Sequence, residues 1–163
     1  MRCSPLQNKL LKEVLSGYGG GFVENPTYEQ VCDKNTGHIE LARIVFYPKE
    51  ISYDELLEVF WKSHDPTTLN RQGADSGTQY RSVIFYHNAQ QQQSAEQMMA
   101  QLSEKQVFDK AIVTQLSPVS AFYLAEEYHQ GYFLQHPEQS YCQVVVAPKM
   151  AKFKQHYTEL LKR

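Results

Sequence analysis

Ile39-Glu40-Leu41-Ala42-Arg43-Ile44-Val45-Phe46-Tyr47-Pro48 is followed within a few residues by Ser52-Tyr53-Asp54-Glu55-Leu56-Leu57-Glu58-Val59-Phe60-Trp61. The first run is short, apolar and β-branched, and a proline stops it, which reads as a strand with one well-buried face. In the second, Ser52 and Glu55 stand in a capping-box pattern ahead of an apolar stripe, which predicts a helix ending near Ser63 to Pro66. Outward from this pair, residues 81–87 read as a second strand. Asn88 caps a glutamine-rich helix over 89–106, with Ala95, Met98, Met99 and Leu102 at helical spacing. Residues 111–116 read as a third strand, 122–132 as a short helix, 142–147 as a fourth strand, and 148–161 as a terminal helix with Pro148 near its start. Strands and helices alternate with no linker between them, as in one α/β-type layer structure.

The 163 residues are 42% hydrophobic and 21% charged, enough for one globular domain with a real core. Sixteen Lys and Arg against 18 Asp and Glu give a formal charge of -2, so no basic field draws nucleic acid or anionic lipid. Cys3, Cys32 and Cys142 are scattered without zinc-site spacing, as expected for a reducing compartment. No apolar run approaches a membrane span and the amino terminus lacks an apolar signal segment, so the expected location is cytoplasmic.

Two glycine-containing stretches, residues 17–38 and 64–80, break the rhythm and hold the groups able to do chemistry. Gly17-Tyr18-Gly19-Gly20-Gly21 matches no phosphate-binding fingerprint and is not preceded by a clear strand, which favours a tight turn where backbones approach closely. Tyr28 reads as a core tyrosine or as a hydroxyl donor. Glu40 is a solvated strand-end carboxylate or, if desolvated beside tyrosine hydroxyls, a proton donor near neutral pH. His38 and His64 share no ligand spacing with Asp65 or Cys32, which favours capping or core roles. The Asp, Asn, Gly and Thr of residues 64–82 fit an ordered loop whose side chains bond their own backbone.

Taken together, Gly-Tyr-Gly-Gly-Gly at 17–21, Asn-Pro-Thr-Tyr-Glu-Gln-Val-Cys at 25–32, Thr-Gly-His-Ile-Glu at 36–40, His-Asp-Pro-Thr-Thr-Leu-Asn-Arg-Gln-Gly at 64–73, Asp-Ser-Gly-Thr-Gln-Tyr-Arg-Ser at 75–82 and Ala-Glu-Glu-Tyr-His-Gln at 125–130 closely resemble the peptide methionine sulfoxide reductase A family. The resemblance implies an α+β fold, a two-layer α/β sandwich with a ferredoxin-like core and a mixed sheet. It implies a single domain over 1–163 that reduces methionine (S)-S-oxide, free or in proteins, to methionine. In the family a cysteine thiolate attacks the sulfoxide sulfur while a glutamic acid and two tyrosines bind and protonate its oxygen. A second cysteine then resolves the sulfenic acid to a disulfide that thioredoxin reduces. Carried over by motif, these acids are Glu40, Tyr28 and Tyr80, Asp75 is the substrate-positioning aspartate, and Cys142 stands at the resolving position. Cys32 belongs to the pattern as a packing residue. The implied partners are oxidised proteins or free methionine sulfoxide, and thioredoxin. No cofactor, metal, nucleic acid or membrane is implied, and the chain is expected to be a monomer.

The family's nucleophile lies in Gly-Cys-Phe-Trp, at the end of a first strand and the start of a first helix, and this sequence contains no such run. By the family pattern it would stand upstream of Met1. Cys3 is too close to Gly17 and lacks the Phe-Trp neighbours, so it reads as an incidental thiol. The expectation is a family member whose activity needs upstream residues and whose sheet lacks its first strand. The alternative is a non-catalytic methionine sulfoxide binding module.

Overall fold

The computed structural model describes residues 10–157. Leu11–Gly19 forms strand β1, Tyr28–Cys32 helix α1, Ile39–Phe46 strand β2 and Tyr53–Ser63 helix α2. The short strands β3 (Arg71–Gln72) and β4 (Asp75–Ser76) come next, then a 3-10 turn over Thr78–Tyr80, strand β5 (Val83–Tyr86) and helix α3 (Ala89–Glu104). Strands β6 (Gln115–Pro118) and β7 (Phe122–Leu124), a 3-10 turn over Glu127–His129, α4 (Tyr132–Gln135), a π-helical turn over Cys142–Val146 and α5 (Ala147–His156) complete the order. The architecture is α+β, with the strands in three sheets: β2-β1-β7, the antiparallel pair β3-β4 and the parallel pair β5-β6. No helix among the described residues is long and apolar enough to cross a membrane.

The chain gathers into two compact units, one built from residues 10–17, 41–52 and 124–157, the other from residues 18–40 and 53–123. The second unit holds a core in which Leu57 and Trp61 of α2, Ile84 of β5 and Ala95 of α3 are buried together. Met98, Met99 and Leu102 pack against that cluster, so the periodicity of α3 is the imprint of one buried face beneath solvated glutamines. The Asn88 side chain accepts from the Gln91 N–H at 2.9 Å and caps the helix as expected.

Four readings are corrected. Leu11–Gly19 is a nine-residue strand lying between β2 and β7, where sequence offers no clear strand. Its neighbours on both sides supply the pairing, and Lys12 and Glu13 interrupt any clean alternation. The third strand starts later than predicted, because the Val113 N–H bonds to the Pro66 carbonyl instead of joining β5. Residues 122–132 are not a helix. The Ala125 N–H bonds to the Ser16 carbonyl, and the buried Gln130 amide donates to the Ser16 and Ala125 carbonyls and accepts from the Ser16 N–H. These bonds require an extended backbone through β7. Residues 142–147 are helical, with Cys142 and Val146 buried four apart and Val144 exposed, a burial period that a short apolar run does not reveal by itself. Pro148 falls in the first turn of α5, whose predicted end at 158–161 lies outside the described residues, as does Cys3.

Gln130→Ala would remove the amide that accepts from the Ser16 N–H and donates to the Ser16 and Ala125 carbonyls in a partly buried region. It is expected to lower stability by about 2–3 kcal/mol, the cost of leaving such groups unbonded, read as a lower urea midpoint at unchanged slope.

Candidate active site

Helix α1 is one turn long and needs its cap. Thr27 Oγ1 accepts from the Gln30 N–H at 3.3 Å, and Gln30 Oε1 accepts from the Thr27 N–H at 2.9 Å, a reciprocal capping box. This fixes Tyr28 at the first position and Cys32 at the last, four residues apart and so on one face. The Tyr28 hydroxyl donates to the Cys32 sulfur. That bond, burial and the neighbouring charges of Cys32, Glu40 and Tyr80 push the phenol well above its ordinary range. Tyr28 therefore stays a protonated donor throughout the physiological range.

Glu40 is carried by the second residue of β2, and the approach to it is rigid. His38 is buried, its Nδ1 accepts from the Gly21 N–H at 3.1 Å, and its Nε2 donates to the Val23 carbonyl at 2.7 Å. A neutral ring in one tautomer satisfies both bonds, which is the core role expected of His38. The Phe22 N–H also bonds to the Thr36 carbonyl at 3.0 Å. A side chain at Gly21 would meet the Thr36 carbonyl and His38, so the glycine tract serves close backbone approach, as its composition suggests.

Glu40 is exposed as a residue, yet loss of solvent around its carboxyl lifts its pKa above the usual glutamate value, and the charge of Asp75 lifts it further.

Tyr80 closes the 3-10 turn over Thr78–Tyr80, and Asp75 sits in β4 of the preceding hairpin. The loop is ordered by its own side chains: Asp65 Oδ1 accepts from the Thr67 N–H at 2.9 Å and hydroxyl at 2.6 Å, which draws the Asp65 pKa down. Gln72 bonds back to the Asp65 backbone at both ends of its amide. His64 donates from Nδ1 to the Phe60 carbonyl at 2.6 Å and accepts at Nε2 from the Ser82 hydroxyl at 2.7 Å, which bonds in turn to Thr114 Oγ1 at 2.8 Å. His64 is thus a core tie between the end of α2 and the entrance to β5.

Tyr28, Glu40, Tyr80 and Asp75 therefore share one electrostatic environment within the second unit, as their motifs imply. Cys32 joins them, although sequence reading assigned it to packing. The four-residue spacing from Tyr28 in a capped single turn is the signal that could have placed it. Cys142 belongs to the first unit, where it is fully buried. The arrangement offers hydroxyl donors and a carboxyl that holds its proton to higher pH than an ordinary glutamate, suited to binding and protonating an oxygen acceptor.

In a Cys3→Ser background, Cys32 should react with a small alkylating reagent under native conditions well before Cys142, followed by mass mapping, because Cys32 is partly exposed and Cys142 is not. Cys32→Ala should bring the Tyr28 phenol back toward its ordinary range in an ultraviolet pH titration.

The peptide methionine sulfoxide reductase family model matches residues 6–161. The chain is 50% identical over 152 residues to a peptide methionine sulfoxide reductase of Deinococcus radiodurans, covering 93% of this chain and 74% of that protein. It is 47% identical over 163 residues to the Saccharolobus solfataricus reductase, covering 98% and 91%. Among solved structures it is similar to reduced Mxr1 from Saccharomyces cerevisiae, with TM-score 0.77 and 33% identity over 83% of this chain and 77% of that one. The methionine sulfoxide reductase A of Corynebacterium diphtheriae follows at TM-score 0.67 and 31% identity, over 78% and 65%. With this coverage at the level of family model, sequence and fold, the chain belongs to the peptide methionine sulfoxide reductase family.

Proposed function

We propose that this chain acts on methionine (S)-S-oxide, free or in oxidised proteins, and takes part in its reduction to methionine. The observation that carries the reading is the desolvated Glu40 carboxyl grouped with the Tyr28 and Tyr80 hydroxyls. A sulfoxide oxygen leaves poorly until it is protonated. The two hydroxyls would hold it and Glu40 would deliver the proton as a cysteine thiolate attacks sulfur. The S–O bond breaks as an S–S bond forms, the protonated oxygen leaves as water, and a water molecule then attacks the cysteine sulfur, displacing methionine and a proton and leaving a sulfenic acid. Attack by a second thiol then releases water and forms a disulfide. Thioredoxin would reduce it, and a cytoplasmic site of action suits that thiol chemistry. Cys142 takes the resolving role only if its helical segment opens, since its thiol is buried.

The burial of the Cys142 thiol, which keeps it from resolving a sulfenic acid while its helical segment is closed, favours a second reading in which the site captures methionine sulfoxide without turning it over. Incubation with a methionine (S)-sulfoxide peptide and a dithiol, with binding and methionine release followed separately, distinguishes the two. Release of methionine supports reduction, binding alone supports capture, and neither at millimolar peptide contradicts both.

The pH dependence has a definite sign. Where the protonated carboxyl donates to the sulfoxide oxygen, affinity declines as pH rises through the raised Glu40 pKa. Glu40→Gln abolishes that dependence, and where turnover occurs it lowers the rate about 10²–10⁴-fold, the usual contribution of a general acid. A carboxyl whose folded pKa is raised favours folding below its unfolded pKa, and this contribution is lost as pH rises through the folded value. Glu40→Gln is accordingly expected to melt no lower than wild type at pH 7 in a calorimetric scan.

A further inference from the structure

We propose that Arg81 is a positioning residue for the oxygen-binding site, tying the turn that carries Tyr80 to the turn that leads into Glu40. The inference rests on the reading of Tyr80 and Glu40 as partners on one sulfoxide oxygen. The guanidinium donates from Nη1 to the Thr78 carbonyl at 2.9 Å, within the Tyr80 turn, and from Nη2 to the Gly37 carbonyl at 3.0 Å, 44 residues away. Gly37 stands three positions before Glu40 and has φ of 70°, a backbone state natural to glycine. Its neighbours are fixed: Thr36 accepts from Phe22, and His38 is buried and bonded at both ring nitrogens. Arg81 therefore grips a rigid base.

On the other side of Arg81, Ser82 is bonded through its hydroxyl to His64 and Thr114, and its carbonyl accepts from the Gln115 N–H. These bonds hold the chain after Tyr80 to α2 and β6, elements that carry none of the oxygen-binding groups. The reach to Gly37 registers Tyr80 against Glu40. The two carbonyls lie at separate prongs of a planar fork, a demand that arginine meets and a single ammonium does not. Partial burial, which draws the guanidinium pKa down, also shields the bond to Gly37 from competition by water.

A double-mutant cycle tests this. Wild type, Arg81→Met, Tyr80→Phe and the double variant are titrated with a methionine (S)-sulfoxide peptide, and the Tyr28 phenol is titrated in each without ligand. Arg81→Met should weaken binding about tenfold, within the coupling range of residues acting as a unit, and should add nothing in the Tyr80→Phe background. It should also lower the Tyr28 titration when Tyr80 is present and leave it unmoved when Tyr80 is phenylalanine. Additive losses in binding, or a Tyr28 titration indifferent to Arg81 in both backgrounds, would overturn the proposal. Absence of binding by wild type would overturn the functional reading instead, and the ligand-free titration would still decide whether Arg81 positions Tyr80. Should Arg81→Met fail to fold, Arg81→Lys, which keeps the charge and loses the fork, enters the same cycle.

Discussion

A single buried imidazole holds the second unit's chemistry in place. His38 accepts from the Gly21 N–H on one side of its ring and donates to the Val23 carbonyl on the other. A neutral ring makes both bonds at once, whereas a protonated ring would face an N–H donor with another donor. The glycine tract, the Thr36–Gly37 turn and the start of β2 are drawn together around that ring, with no room for a side chain at Gly21. Glu40, two residues on, inherits its position from this arrangement.

From that fixed point the electrostatics follow. Glu40 loses water around its carboxyl and faces the negative charge of Asp75, and both effects favour the proton-bearing form. Tyr28 is held protonated by its bond to Cys32 and by the charges around it. A protonated phenol beside a carboxyl whose proton is held more tightly than usual is what a weakly basic oxygen needs in order to become a leaving group. Repulsion between the Glu40 and Asp75 carboxylates is a physical cost of assembling them, and the capped α1 turn, the bonded loop from Asp65 to Gln72 and the His38 tie are the local structures that hold the groups against it.

The sequence made α2, α3 and β2 legible, because each pairs a strong period with a cap or a proline stop. Tyr28, Glu40, Tyr80 and Asp75 were legible only through the ordered motifs, since a glutamate at a strand start carries no sign of its desolvation. What stayed hidden depends on partners distant in sequence. β1 is a strand because of neighbours on both sides, and the 122–132 run opens as strand β7 rather than as a helix because the Ala125 N–H and the Gln130 amide bond to Ser16, the latter 114 residues away. The 142–147 run is apolar in either state, and only its packing selects the helical one. Arg81 and Cys32 gain their meaning from contacts with Gly37 and Tyr28 that composition does not announce.

The central claim is that Glu40 holds its proton beyond the ordinary glutamate range and spends it on a sulfoxide oxygen. Carbon-13 titration of the side-chain carboxyls, with Glu40→Gln to assign the resonance, measures this directly. The Glu40 carboxyl is expected to titrate above the other glutamates and to respond to added methionine (S)-sulfoxide. A Glu40 that titrates with the other glutamates and is indifferent to the sulfoxide would contradict it.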